Sequence, residues 1–153
     1  MNRSVYVSVF ASLFLVMGVS VKAGPDLVME QRLASEIVDS FIDGEPLMLE
    51  ADGAEFLGIY AETDADKPRG ALLVLHGRGY HPNWMDVVYP VRTGMLEHGW
   101  NTLSIQLPVL DKEATYNEYL PLFDASAERI NAAIEFLSEQ GNDFVVMVAH
   151  SCG

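Results

Sequence analysis

Three short, largely apolar runs alternating with helical patterns constrain this chain more than any other feature. Residues 71–75 (ALLVL), 101–107 (NTLSIQL) and 144–148 (FVVMV) each have the length of a strand. The first and last carry no polar residue; the first suits a strand buried on both faces, and the last, without later strands to cover it, is expected to be an exposed apolar edge. Between them lie two helical patterns. In residues 90–98, Pro90 has no N–H to leave unpaired in a first turn, and Gly99 suits the left-handed position that ends a helix. In residues 125–140, Ala127, Ile130, Ala133, Ile134 and Leu137 form one apolar stripe, closed by Gly141. Strand–helix–strand–helix–strand with apolar strands predicts parallel pairing and right-handed crossovers, hence an α/β domain.

The residues before this unit read differently. Residues 46–50 and 55–62 are strand candidates, and Asp52-Gly53 between them tolerates the positive φ of a tight hairpin turn. An antiparallel hairpin is therefore expected ahead of the mostly parallel sheet. Residues 24–45 form a separate helical segment, with Leu27, Val28, Leu33, Ile37, Val38 and Phe41 at near-helical spacing. Residues 63–70 (TDADKPRG) are a surface loop.

Residues 1–23 have the parts of an export signal: Arg3, an uncharged run over 5–21, and Val21-Lys22-Ala23 with small residues at the −3 and −1 positions. Cleavage after Ala23 predicts an exported protein, periplasmic or secreted. The competing reading is an uncleaved anchor, but the run is short for a span and is weakened by Ser8, Ser12, Gly18 and Ser20. No stable membrane span is expected after cleavage. The 153 residues carry a formal net charge of −13, and all the acids lie after residue 23. Such acidity argues against nucleic-acid binding, which depends on Lys and Arg neutralising phosphates. The single cysteine, Cys152, excludes an internal disulfide and a Cys-based structural zinc site.

Chemistry concentrates at two places. Ala149-His150-Ser151-Cys152-Gly153 follows the FVVMV run and fits G-x-S-x-G, with Ala replacing the first Gly. In that motif the Ser occupies a sharp strand-to-helix turn that lifts its hydroxyl above the sheet edge, and its flanking positions must be small. His76-Gly77-Arg78-Gly79 follows the ALLVL run. A loop there donates a backbone N–H to an oxyanion, from Gly77 or Arg78, and the amide after the nucleophile, that of Cys152, gives the second.

With these motifs in this order, the chain resembles the N-terminal part of the α/β-hydrolase superfamily over about residues 45–153. HGRGYHPNW together with GWNTLSIQLP is similar to the exported bacterial family called domain of unknown function 3530. The resemblance implies part of a three-layer α/β-hydrolase fold, left incomplete at the nucleophile elbow. It also implies Ser151 as nucleophile, with no cofactor and no metal. Its bland alternative is a turn hydroxyl at an ordinary strand exit. His150, next to Ser151, points away from it in such an elbow and is assigned to packing rather than to the base. His76 orders the oxyanion loop; no second ligand at a sensible spacing supports a metal role. Tyr80, His81 and Trp84 line a candidate acyl pocket, with core packing equally open for Trp84. Arg78 is either a contact for an acidic substrate group or a solvated loop arginine.

The fold's triad runs Ser, then Asp/Glu, then His, and only two residues follow Ser151. Residues 1–153 are therefore expected to be part of a longer product, inactive by themselves, whose whole is an exported serine hydrolase cleaving a small-molecule ester, thioester or amide. The alternatives are a non-catalytic binding module of the cell envelope and another elbow chemistry such as a cofactor-free haloperoxidase.

Overall fold

The computed structural model describes residues 24–40, 43–151 and 153; the expected leader, Phe41 and Cys152 lie outside them. The chain begins with α1 (Leu27–Ser40), whose first turn is capped by Asp26: its Oδ1 accepts the Met29 N–H at 2.9 Å. Strands β1 (Glu45–Ala51) and β2 (Ala54–Ala61) follow as an antiparallel hairpin. Its two-residue turn has Asp52 at φ 50° and Gly53 at φ 71°, the positive pair that matches strand twist. Next come β3 (Ala71–Leu75), α2 (Val88–Gly94), β4 (Asn101–Ile105), α3 (Tyr116–Tyr119), α4 (Phe123–Glu139) and β5 (Val145–Ala149). Short 3-10 turns follow α2 and α3.

The sheet order is β1-β2-β4-β3-β5. Strand β2 is antiparallel to both its neighbours, whereas β4–β3 and β3–β5 pair in parallel. Leu75 lies opposite both Ile105 and Ala149, so β3, β4 and β5 end level. The loops that begin at His76, Gln106 and His150 thus leave one edge of the sheet together, which is where α/β sheets place their sites.

Strand alternation divides the core between two faces. On one face Phe56, Tyr60, Leu73, Leu75 and Leu103 pack against Ala133 and Leu137 of α4. On the other, Leu72 and Val74 meet Val88 of α2, and Leu57 and Ile59 meet Ile37 of α1. The result is three layers with the sheet in the middle.

Three expectations need correction. The buried stripe of α4 runs through Arg129, Ala133 and Leu137, while Ala127 and Ile134 are exposed. In α1 the buried residues are Glu30 and Ile37, whereas Val28 and Val38 face outward. Ala133, Leu137 and Ile37 are buried as expected, and the difference has one cause in both helices: an acid and a base are buried as a pair, which hydropathy does not mark. The second helix starts at Val88 rather than Pro90 and gives way to a 3-10 turn at Leu96–His98, ended by Gly99 at φ 79°. Strand β5 has the exposed edge expected of it: among the described residues it pairs on one side only, and Met147 and the preceding Phe144 are more than half exposed.

Candidate active site

Ser151 stands two residues past β5 with φ 59°, a left-handed conformation that a non-glycine residue adopts at a cost of about 1–2 kcal/mol. Closure of the turn by the Gly153 N–H on the His150 carbonyl, at 3.1 Å, holds it there. A Cβ at Gly153 would lie 2.5 Å from the His76 carbonyl oxygen, so the motif's last position packs directly on the end of β3. Only glycine fits that approach. The His150 N–H donates to the Leu75 carbonyl at 3.1 Å, extending the β3–β5 ladder into the turn.

The same contact brings the His76 loop against Ser151. A Cβ on Gly77 would sit 3.0 Å from His150 Nδ1 and 3.1 Å from Ser151 Cβ. Gly77 and Ser151 are therefore neighbours, although they come from different loops. The loop turns back at once: the Tyr80 N–H donates to the Gly77 carbonyl at 3.2 Å, and Gly79 supplies φ 76° inside that turn. The exposed Arg78 donates from Nη1 to the Ala114 carbonyl at 3.2 Å, with its guanidinium 5.9 Å from the Tyr119 ring centre.

His76 is the buried pin of this loop. Its Nδ1 bonds the Gly77 carbonyl at 2.8 Å, which requires a proton on Nδ1. Nε2 then accepts from the Leu107 N–H at 2.9 Å and from Gln106 Nε2 at 3.0 Å. Burial lowers its pKa from 6.5 to about 4, with the Gly77 carbonyl pulling the other way. The folded state thus keeps a neutral ring where the unfolded chain would take up a proton. His76 supports stability in full above about pH 6.5, and this support is lost as the pH falls through about 4. The loss expected over that window is about 3 kcal/mol. Urea unfolding at a series of pH values checks it: the slope of stability between pH 4 and 6.5 should be shallower in His76→Gln.

Aromatic side chains wall one flank. Tyr80 stacks on Trp84 with ring centres 3.7 Å apart, and Trp84 meets the His150 ring edge-on at 5.0 Å. Trp84 also packs against the Leu72–Val74–Val88 core, so it serves both settings. His81 lies elsewhere: it lines a cavity of about 380 Å³ with Ile37 of α1 and Tyr89 and Arg92 of α2. Ala149 is exposed at the end of β5.

Sequence reasoning missed three residues beneath the site: Gln106, Arg129 and Glu30. A polar Gln between Ile105 and Leu107 was one visible signal, and the four-residue spacing of Arg129 to Ala133 and Leu137 was another. The short α3 was missed as well, although Thr115 and Glu118 form a capping box, in which the Glu118 carboxylate accepts the Thr115 N–H at 2.7 Å. Among the described residues, no three His, Cys, Asp or Glu gather as metal ligands, and no helix is long and apolar enough to cross a membrane.

Solved structures with this arrangement are α/β-hydrolases. The chain is similar to the Pyrococcus furiosus esterase Pf2001, at 15% identity and TM-score 0.57, over 76% of this chain and 45% of that one. It is similar to Est1E from Butyrivibrio proteoclasticus, at 17% identity and TM-score 0.51, over 71% of this chain and 41% of the other. An alpha-beta serine hydrolase homologue from Coxiella burnetii matches at 12% identity and TM-score 0.51, covering 72% of this chain and 53% of its own. The chain thus spans about half the length, or less, of these proteins, and the likeness establishes the α/β-hydrolase fold. No curated protein matches the sequence. One family does: its model covers residues 20–126, from before α1 into α4, and so the chain belongs to the family described as protein of unknown function (DUF3530).

Proposed function

We propose that the whole protein is an exported serine hydrolase that cleaves an ester, thioester or amide, with Ser151 as nucleophile. The observation that carries this reading is the left-handed Ser151 at the exit of β5, pressed against Gly77 of the neighbouring loop. A strained turn of this kind is stored where a side chain must be presented. Ser151 Oγ attacks the carbonyl carbon, and its proton passes to a base from a later part of the protein. The amides of Gly77 or Arg78 and of Cys152 hold the oxyanion. Collapse expels the alcohol, thiol or amine, which takes that proton, and water then releases the acid from the acyl-serine. The Tyr80–Trp84 wall receives the acyl group. Residues 1–23 direct the chain to the periplasm or out of the cell.

A fluorophosphonate probe on the full-length protein tests this. Labelling should map to Ser151, and Ser151→Ala should abolish it and lower kcat/KM by at least about 1,000-fold. Folded protein that stays unlabelled would overturn the reading in favour of a non-catalytic binding module.

A further inference from the structure

We propose that Glu30 of α1 is a positioning residue for the oxyanion loop, acting through a buried chain of polar contacts that ends at Gly77. This role rests on the reading of Gly77 and Arg78 as oxyanion donors.

The chain begins in the first turn of α1. Glu30 Oε1 accepts the Val109 N–H at 3.0 Å, while the Asp26 N–H donates to the Val109 carbonyl at 2.9 Å. Both backbone groups of Val109 are therefore taken by α1 and the residue that caps it. Glu30 Oε2 pairs with Arg129 Nη2 at 2.8 Å, from the helix on the opposite face of the sheet. The Arg129 guanidinium lies 5.1 Å from the Phe56 ring centre, and its Nη1 donates to the Gln106 carbonyl at 3.0 Å. The Gln106 side chain passes the contact on. Its Nε2 reaches His76 Nε2 at 3.0 Å and the Leu107 carbonyl at 2.8 Å, with the Tyr80 carbonyl at 3.4 Å. His76 Nδ1–H then holds the Gly77 carbonyl.

Every side chain in this series is 5% exposed or less. Water therefore cannot replace a lost partner, and each group orients the next. Burial pushes the Glu30 carboxyl up, and the Arg129 guanidinium pulls it back. A pair of this kind adds little stability over an apolar substitute, which leaves orientation as what it contributes. The loop's other side-chain tie is shallower: Arg78 reaches Ala114 from an exposed position. An oxyanion donor acts only when aimed at the developing charge, so a shift of the Gly77 backbone acts on kcat rather than on binding.

The test uses the full-length protein and two variants. Glu30→Gln removes the charge; the pair Glu30→Met with Arg129→Met removes the whole tie while filling its volume, should the first fail to fold. In a variant folded by circular dichroism at assay temperature, kcat should fall roughly 10- to 100-fold with KM nearly unchanged. The ¹⁵N resonances of the His76 ring and the Gly77 amide should shift as well, a signature that general destabilisation does not produce. Unchanged resonances, or an unchanged kcat beside shifted ones, would overturn the proposal. Were the wild type inert to substrate and probe, the hydrolase reading would fall by itself. The resonances alone would then decide the tie, their shift supporting it and their constancy overturning it.

Discussion

Gly70→Ala should be among the most damaging single substitutions in the protein, lowering stability by about 3 kcal/mol or more. Gly70 lies just before β3 at φ 136°, in a region closed to residues with a Cβ. Steric crowding adds to that. A Cβ there would fall 2.2 Å from the Phe144 carbonyl oxygen, the atom that accepts the Ala71 N–H at 2.9 Å. The Gly70 carbonyl meanwhile accepts the Asn101 N–H at 3.0 Å, so three strands begin around this one residue. Relieving the clash means moving the start of β5 away from β3. Gly53→Ala is the control, since it also has positive φ (71°) but nothing within 4 Å. It should cost only about 1–2 kcal/mol. Chemical denaturation of the two variants measures the difference, and equal losses would show that crowding at Gly70 contributes nothing.

Arg129→Met should destabilise the protein by about 3–5 kcal/mol, because it leaves Glu30 buried without its counter-charge. The Gln106 carbonyl loses its donor at the same stroke. Adding Glu30→Met should recover much of the loss, as apolar replacement of a buried pair is often neutral. Recovery stays incomplete because the Gln106 carbonyl still lacks its donor and the Val109 N–H now loses its acceptor. Urea titration of the single and double variants reads both numbers; a single variant within 1 kcal/mol of wild type would contradict the account.

Local chemistry was legible in the residues, and long-range pairing was not. The ALLVL run and Asp52-Gly53 act through their own backbone, so the buried β3 and the hairpin turn follow from a few adjacent letters. The tight turn at Ser151 was legible for the same reason, since strand, turn and small residue lie within ten positions. Burial of Glu30 was hidden because a charge reads as surface until its partner is known. The partner sits on another helix, across the sheet, and no local period announces it. The same blindness rotated the stripe of α4 away from Arg129. His81 was grouped with Tyr80 and Trp84 by adjacency, yet it turns toward α1 and α2. Along an irregular loop, neighbours in sequence need not share a direction.

The Glu30–Val109 contact spans 79 positions, and Arg129 lies later still. Docking of α1 therefore waits for β4 and α4, although α1 is made before either. Until then Leu57 and Ile59 lack their cover from Ile37. The first helix is in this sense the last to be fastened. A chain halted partway would keep β1 and β2 as a bare ribbon, open to proteases and to pairing with other chains. The segment ahead of the sheet is thus a clasp, shut only when everything between its two ends is in place.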